Sequence, residues 1–314
     1  MIDIIKKIEL GGFPQKIHIK ASNANAPILL SLHGGPGIPN RDSLFRKHAD
    51  LCEHFILVGW DQRGSGGSYK NIDENTLTLQ QFLKDTNEIV NYLCDELKKE
   101  KLFLLAGSWG TELGTMFCSK YPERIAGYVG TGQTVNGEKN EAIGYKFALD
   151  HAKMTGDKKA ITQLEKHGPP VCGQYPGGFK GLMIQRKYMK KYGGNSIKKE
   201  GWFKTLAMPI LLSKEYSFTD KIGVIKGYSL VLSKMWSEIT DYDFITQCNE
   251  FKMPYYIFQG RLDNNTPSAL IEEYYEKINA PKKDLIWFEN SAHSPMSEEP
   301  EKFKRLLIEK FINC

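Results

Sequence analysis

Long apolar runs are missing from this chain of 314 residues. No stretch approaches the roughly 20 residues that a membrane-spanning helix needs. The N-terminus, MIDIIKKIEL, has no charged head leading into an apolar segment and a small-residue cleavage site. Neither a membrane partner nor an export signal is expected, and the cytoplasm is the simplest location. The six cysteines are scattered at positions 52, 94, 118, 172, 248 and 314, and none forms a C-x-x-C pair. That pattern excludes a zinc ribbon and a dithiol redox motif, and it suits a reducing compartment. A large excess of either charge is missing as well. A net charge of +5 over this length, with no finger, basic zipper or RNP-like motif, gives no reason to expect a nucleic-acid partner. Internal repeats and low-complexity linkers are also missing. What remains is 41% hydrophobic and 25% charged, an ordinary globular composition with material for one large domain or two small ones.

Short apolar runs alternate with helical patterns through the first part of the chain. Ile4 to Leu10 and Lys16 to Lys20 read as an antiparallel pair around Gly11 and Gly12. Residues 27–32, 55–60, 102–106 and 125–131 read as buried strands. A helix is expected from Thr78, which can form a capping box with Gln81, and Phe82, Ile89, Val90, Leu93 and Leu97 give it one apolar stripe. From Thr134 to about Phe251 only helical signals continue, broken by glycine and proline as in HGPPVCGQYPGG. The strand–helix rhythm then resumes. Tyr255 to Gln259 is a strand, Thr266-Pro267 starts a helix, Leu285 to Phe288 is a strand, and a closing helix carries Phe303, Leu306, Leu307 and Phe311. This is an α/β pattern, a mostly parallel central sheet covered by helices on both faces. The expected division is a core built from residues 1–133 and 251–314, with a helical cap, residues 134–250, inserted between its two halves. Such a cap would cover the carboxyl ends of the strands, where open α/β sheets bind ligands.

The chemistry concentrates at Leu102 to Gly114, LFLLAGSWGTELG. A serine flanked by glycines between a strand and a helix is a nucleophile elbow, whose tight turn lifts the Ser108 hydroxyl above the sheet. Alanine at 106 stands where the usual pattern has its first glycine, and the turn tolerates it if φ there stays negative. A serine hydroxyl needs a base, and the base needs a third group to hold its tautomer. In this kind of fold the chain order is serine, acid, histidine. Asp263 follows the strand YYIFQG, and His293 follows the strand LIWF. With only seven histidines in the chain, the rival base is His33, which precedes the serine and suits a different role. It opens HGGPG, a loop free of side chains whose N–H groups can face developing negative charge. The expected oxyanion hole is the N–H of Trp109 with that of Gly35, while His33 holds loop backbone.

Five segments, HGGPG at 33–37, DQRGSGGS at 61–68, AGSWG at 106–110, GRLDNNTP at 260–267 and SAHSPMSEEP at 291–300, together resemble the proline iminopeptidase group of α/β-hydrolases. They recur in that order at similar separations and cover both halves of the sheet domain. The resemblance implies an α/β-hydrolase fold and a serine peptidase that releases N-terminal residues, often proline, without metal or other cofactor. It implies Ser108, Asp263 and His293 as nucleophile, acid and base, with Gly35 and Trp109 as oxyanion donors. Asp61 and Arg63 match a loop read as a salt-bridged support, with no catalytic step assigned.

An aminopeptidase must recognise a free α-ammonium, for which carboxylates are the physical answer. In the iminopeptidases these glutamates come from the cap, one of them in a Trp-Glu pair. This cap has none. Trp236 with Glu238, two residues on, is the nearest arrangement, and Glu215 is a second candidate. A solvated helix face is the alternative for each. The expected substrate is a short peptide beginning with proline or a small apolar residue. A carboxylesterase or other small amide or ester hydrolase is the first alternative, because the fold does not separate these activities. A binding protein without chemistry is the second.

Overall fold

A computed structural model describes residues 1–197 and 208–312. Cys314 lies outside them. Eight strands form one sheet: β1 (Ile2–Leu10), β2 (Phe13–Ala21), β3 (Ile28–Leu32), β4 (Ile56–Asp61), β5 (Leu102–Gly107), β6 (Ile125–Thr131), β7 (Tyr255–Gly260) and β8 (Lys283–Phe288). Their order across the sheet is β1-β2-β4-β3-β5-β6-β7-β8. The β1–β2 and β2–β4 pairs are antiparallel and the rest are parallel. The order reverses around β3, so the connections leave toward opposite faces, and the carboxyl ends of β3 to β8 share one rim.

Successive side chains of a strand point to opposite faces, and the core divides accordingly. On one face Leu30, Val58, Leu104 and Ile257 pack with Ile89, Val90 and Leu93 of α2 (Leu79–Glu96), Phe117 of α3 (Trp109–Lys120) and Ile271 and Tyr274 of α10 (Ile271–Lys277). On the other, Leu29, Leu57, Leu105, Val129 and Phe258 pack with Leu44 and Phe45 of α1 (Arg41–Lys47) and Phe303, Leu307 and Phe311 of α12 (Pro300–Ile312). Parallel strands buried on both faces read as continuous apolar runs, which is why they stand out in the sequence. Thr78 caps α2, accepting the Gln81 N–H at 3.3 Å.

Between β6 and β7 the described residues form helices and no strand. They are α4 (Gly137–Met154), α5 (Lys158–His167), α6 (Phe179–Lys191), α7 (Met208–Leu212), α8 (Phe218–Met235) and α9 (Phe244–Gln247). Tyr145, Ala148, Ala152, Leu164, Leu182, Tyr188, Val231 and Met235 from these helices share one apolar cluster with Trp109 and Leu113 of α3 and Phe82 of α2. The helices therefore rest on the first turns of the two helices that begin at the rim. Among the described residues, no helix is long and apolar enough to cross a membrane.

One expected element starts late. The sequence predicts a helix from Thr266-Pro267, yet Ser268–Leu270 form a 3₁₀ turn and α10 begins only at Ile271. The Asp263 carboxylate accounts for the delay: it takes the N–H groups of Asn265 and Thr266 at 2.8 and 3.0 Å, folding residues 263–266 into a tight turn in place of helix.

Glu112 of α3 is 2% exposed, and its Oε1 has no hydrogen-bond partner among the described residues. Burial pushes its carboxyl well above the ordinary glutamate value of 4.5. A carboxyl whose folded-state value is raised stabilises the fold most at low pH, and that contribution is lost as pH rises above 4.5 toward the folded-state value. Glu112→Met is expected to raise neutral-pH stability by about 1–3 kcal/mol. It should also flatten the decline between pH 5 and pH 8, read from denaturant melts at both.

Candidate active site

The strand β5 ends at Gly107 and α3 begins at Trp109, leaving Ser108 alone in the turn. Its backbone sits at φ 53° and ψ −123°, a conformation that costs a side-chain-bearing residue about 1–3 kcal/mol. The Ser108 N–H donates to the carbonyl of Thr131 at 3.0 Å, and the Ser108 carbonyl accepts from the Thr111 N–H at 2.7 Å. Gly110 admits no substitute, because a Cβ there would lie 2.1 Å from the Leu32 carbonyl oxygen. Ala106 lies inside β5, paired with Gly130, and is not among the residues with positive φ. The left-handed residue of the turn is the serine itself, so alanine at 106 is harmless.

Asp263 and His293 follow β7 and β8 on the same rim. The His293 Nδ1 lies 2.9 Å from Asp263 Oδ2. Asp263 is 1% exposed and fully engaged. Oδ1 accepts two backbone N–H groups, and Oδ2 also takes the Thr266 hydroxyl at 2.7 Å and the Gln259 amide at 3.1 Å. With both carboxylate oxygens taken up in this way, the imidazole is held by its Nδ1 edge and presents Nε2 on the opposite side of the ring. The ring stands over Gly132, where a Cβ would come within 2.8 Å of His293 Cε1. Gly132 directly follows Thr131, whose carbonyl holds Ser108, so the histidine and the serine flank one backbone turn.

Among the described residues Ser108 Oγ makes no hydrogen bond. His293 Nε2 meets the Asn265 amide nitrogen at 3.1 Å. Resting enzymes often hold such pairs apart and close them when substrate binds.

The loop after β3 lies against the serine. A Cβ on Gly34 would be 3.1 Å from Ser108 Cβ and 3.7 Å from its Oγ. Gly35 follows at φ 120°, and its N–H has no acceptor among the described residues. The Trp109 N–H opens a helix and so lacks an intrahelical partner. His33 is 1% exposed, and burial pushes its imidazole down to about 4. It is therefore neutral at pH 7, and its Nδ1 donates to the Gly34 carbonyl at 2.8 Å while Nε2 accepts the Gln62 N–H at 3.1 Å. That is a scaffolding role. Sequence reasoning passes over Gln62 between Asp61 and Arg63. Its amide accepts the Trp109 indole N–H at 3.0 Å and donates to the His33 carbonyl at 3.3 Å, joining both sides of the expected oxyanion hole. Asp61 pairs with Arg41 at 2.8 and 3.0 Å and Arg63 with Asp85 at 2.7 and 2.9 Å, all buried. These are the salt bridges beneath the loop.

The carboxylates expected to meet an ammonium are each engaged by other groups. Glu215 Oε2 accepts from His18 Nδ1 at 2.7 Å and lies 3.9 Å from Arg41, over the β2–β4 side of the sheet. Glu238 Oε2 accepts the Leu79 N–H at 2.7 Å, where the unsatisfied N–H groups and dipole of α2 attract an anion. Each carboxylate therefore already has a partner of its own, the His18 imidazole for Glu215 and the Leu79 N–H for Glu238. Trp236 lies under Arg186, 5.5 Å from ring centre to guanidinium carbon. A further acidic residue of α4, Glu141, is 3% exposed. It takes Arg186 Nη2 at 2.7 Å, the Tyr175 hydroxyl at 3.0 Å and the Asn140 amide at 3.1 Å. Asn140 also donates to the Asn265 carbonyl at 2.9 Å, beside His293. One signal could have found Glu141: at 141, 145, 148 and 152 it shares the buried stripe of α4 with Tyr145, Ala148 and Ala152.

Residues 27–300 match the family model for the alpha/beta hydrolase fold. The chain is 28% identical over 309 residues to a protein of Bacillus subtilis (strain 168) named "Probable aminopeptidase YbaC", covering 98% of this chain and 95% of that one. It is 24% identical over 298 residues to a proline iminopeptidase of Heyndrickxia coagulans, covering 93% and 92%. A solved proline iminopeptidase-related protein from Thermus thermophilus superposes with a TM-score of 0.68 at 19% identity, covering 98% and 96%. An elbow serine at the end of β5, a loop of glycines beside it, and a family match running from the third strand into the last helix lead to one assignment: this chain belongs to the alpha/beta hydrolase fold family and resembles the proline iminopeptidases.

Proposed function

We propose that the protein is a serine hydrolase acting as an aminopeptidase, releasing N-terminal proline or a small apolar residue from short peptides. The observation that carries this reading is the 2.9 Å contact of His293 Nδ1 with a buried, fully engaged Asp263, on the same rim as a serine in a left-handed elbow. His293 Nε2 takes the Ser108 proton as Oγ attacks the carbonyl carbon. Asp263 stabilises the imidazolium that forms. The Gly35 and Trp109 N–H groups hold the oxyanion, each contributing about 3 kcal/mol to the transition state. The imidazolium passes its proton to the leaving amine. Water then attacks the acyl-enzyme, giving its proton to Nε2, and Ser108 leaves with that proton. The helices between β6 and β7 serve as the cap that shields these steps from solvent.

The pairing of Glu215 with His18 and of Glu238 with the Leu79 N–H favours a second reading, a carboxylesterase or small-amide hydrolase with no requirement for a free ammonium. A panel of arylamides varying the first residue, with N-acetylated controls and short-chain nitrophenyl esters, separates the two. Free prolyl or alanyl arylamides are expected to be cleaved and their acetylated forms spared. Rapid ester turnover with no arylamide turnover would reject the peptidase reading.

A further inference from the structure

The contact at His293 Nε2 is made by a residue that the mechanism above does not use. With its proton on Nδ1 toward Asp263, the ring presents Nε2 as an acceptor, and Asn265 Nδ2 donates to it at 3.1 Å. The other end of that carboxamide, Oδ1, is buried and has no partner among the described residues. The amide is thus turned so as to serve the imidazole at the expense of its own oxygen, an arrangement that leaves a buried acceptor unsatisfied. Its backbone is fixed from two sides. The Asn265 N–H donates to Asp263 Oδ1 at 2.8 Å, and its carbonyl accepts the Asn140 amide of α4 at 2.9 Å. Asn140 in turn donates to Glu141, which pairs with Arg186 of α6. One chain of polar contacts therefore runs from the helices above the rim to the catalytic nitrogen. Among charged groups, Asp263 sits on Nδ1, and Glu298 of α11 (Pro295–Glu298) accepts the N–H of Ala292, the residue before His293, at 2.8 Å.

We propose that Asn265 is a positioning residue that holds the resting base: its amide occupies the Nε2 lone pair and keeps His293 from Ser108 until substrate displaces it, and Asn140 ties that hold to α4. The inference rests on His293 being the base of the reading above. Asn265 touches neither the reacting carbonyl nor Ser108, so its effect passes through the imidazole.

Two substitutions separate this role from a merely structural one. Asn265→Ala removes the donor and frees Nε2, so phosphonylation of Ser108 by a fluorophosphonate is expected to quicken about fivefold, the worth of one neutral hydrogen bond. Asn265→Asp keeps the size and removes the donor, but sets a carboxylate against Nε2 that draws a proton onto it. Labelling at pH 7 is then expected to slow, and the acidic limb of the pH–rate profile to move to higher pH. Opposite responses of the two variants support the hold. Equal slowing in both, as damage to the turn would give, overturns it. The ¹⁵N resonance of His293 Nε2 supplies a readout independent of turnover. It should shift in Asn265→Ala, and an unchanged resonance refutes the contact even if labelling is normal. A shifted resonance with no labelling in any variant, wild type included, defeats the serine reading itself and with it the role given to Asn265.

Discussion

Ser108→Ala is expected to lower kcat on the order of 100,000-fold with little change in KM, because the nucleophile contributes to the transition state and not to ground-state binding. The remaining activity would come from the Gly35 and Trp109 N–H groups and from substrate positioning, which the substitution leaves alone. The same position gives a second readout. Ser108 sits at φ 53° and ψ −123°, where glycine has no Cβ to strain. Ser108→Gly should therefore be just as inactive and yet more stable than wild type, by about 1 kcal/mol or more. Steady-state kinetics and denaturant melts on the two variants check both statements. An inactive variant of raised stability identifies a residue retained for chemistry, whereas a serine kept only for the turn would show neither effect.

Asp263→Asn is expected to cost about 10,000-fold in kcat, although aspartate and asparagine have nearly the same shape. Asp263 Oδ1 accepts the N–H groups of Asn265 and Thr266, and Oδ2 accepts from Thr266, Gln259 and His293. Asparagine has a single oxygen, which the two backbone donors hold at the Oδ1 position. Its NH2 then faces His293 Nδ1. The imidazole must accept there, so its proton moves to Nε2, and no lone pair remains to take the Ser108 proton. KM should change little, because the loop around Asp263 keeps its backbone bonds. Burst-phase kinetics with an activated ester locate the loss. A slowed acylation step is expected, and a normal burst followed by slow turnover would contradict the tautomer argument.

The strands were legible because parallel strands buried on both faces leave short continuous apolar runs. All five core runs from 27–32 to 255–259 overlap strands β3 to β7. The expected Ser108, Asp263 and His293 were picked out for a related reason: each lies within five residues of the end of a parallel strand, β5, β7 or β8, on one rim. Where a local rule met a competing side chain, the reading failed. Pro267 is a good first residue for a helix, but the Asp263 carboxylate had already taken the Asn265 and Thr266 N–H groups, and the helix waits until Ile271. Glu215, in a bend between α7 and α8, and Glu238, at the start of a 3₁₀ turn, have partners that sequence does not name, His18 and the Leu79 N–H, 197 and 159 residues away. Gln62 and Asn265 stayed hidden because amides carry no pattern of their own. Their roles come from what surrounds them after folding, an indole and a loop carbonyl for Gln62 and an imidazole for Asn265.

Active-site labelling tests the central assignment most directly. Folded protein treated with a fluorophosphonate and digested for mass spectrometry should carry a single phosphonyl adduct on Ser108. The adduct should vanish in His293→Ala, which lacks the base, and survive in His33→Asn, whose imidazole serves only the loop. Intact His293→Ala labelled as fast as wild type, or an adduct on any other serine, would show that the hydroxyl at 108 is not activated by the imidazole at 293.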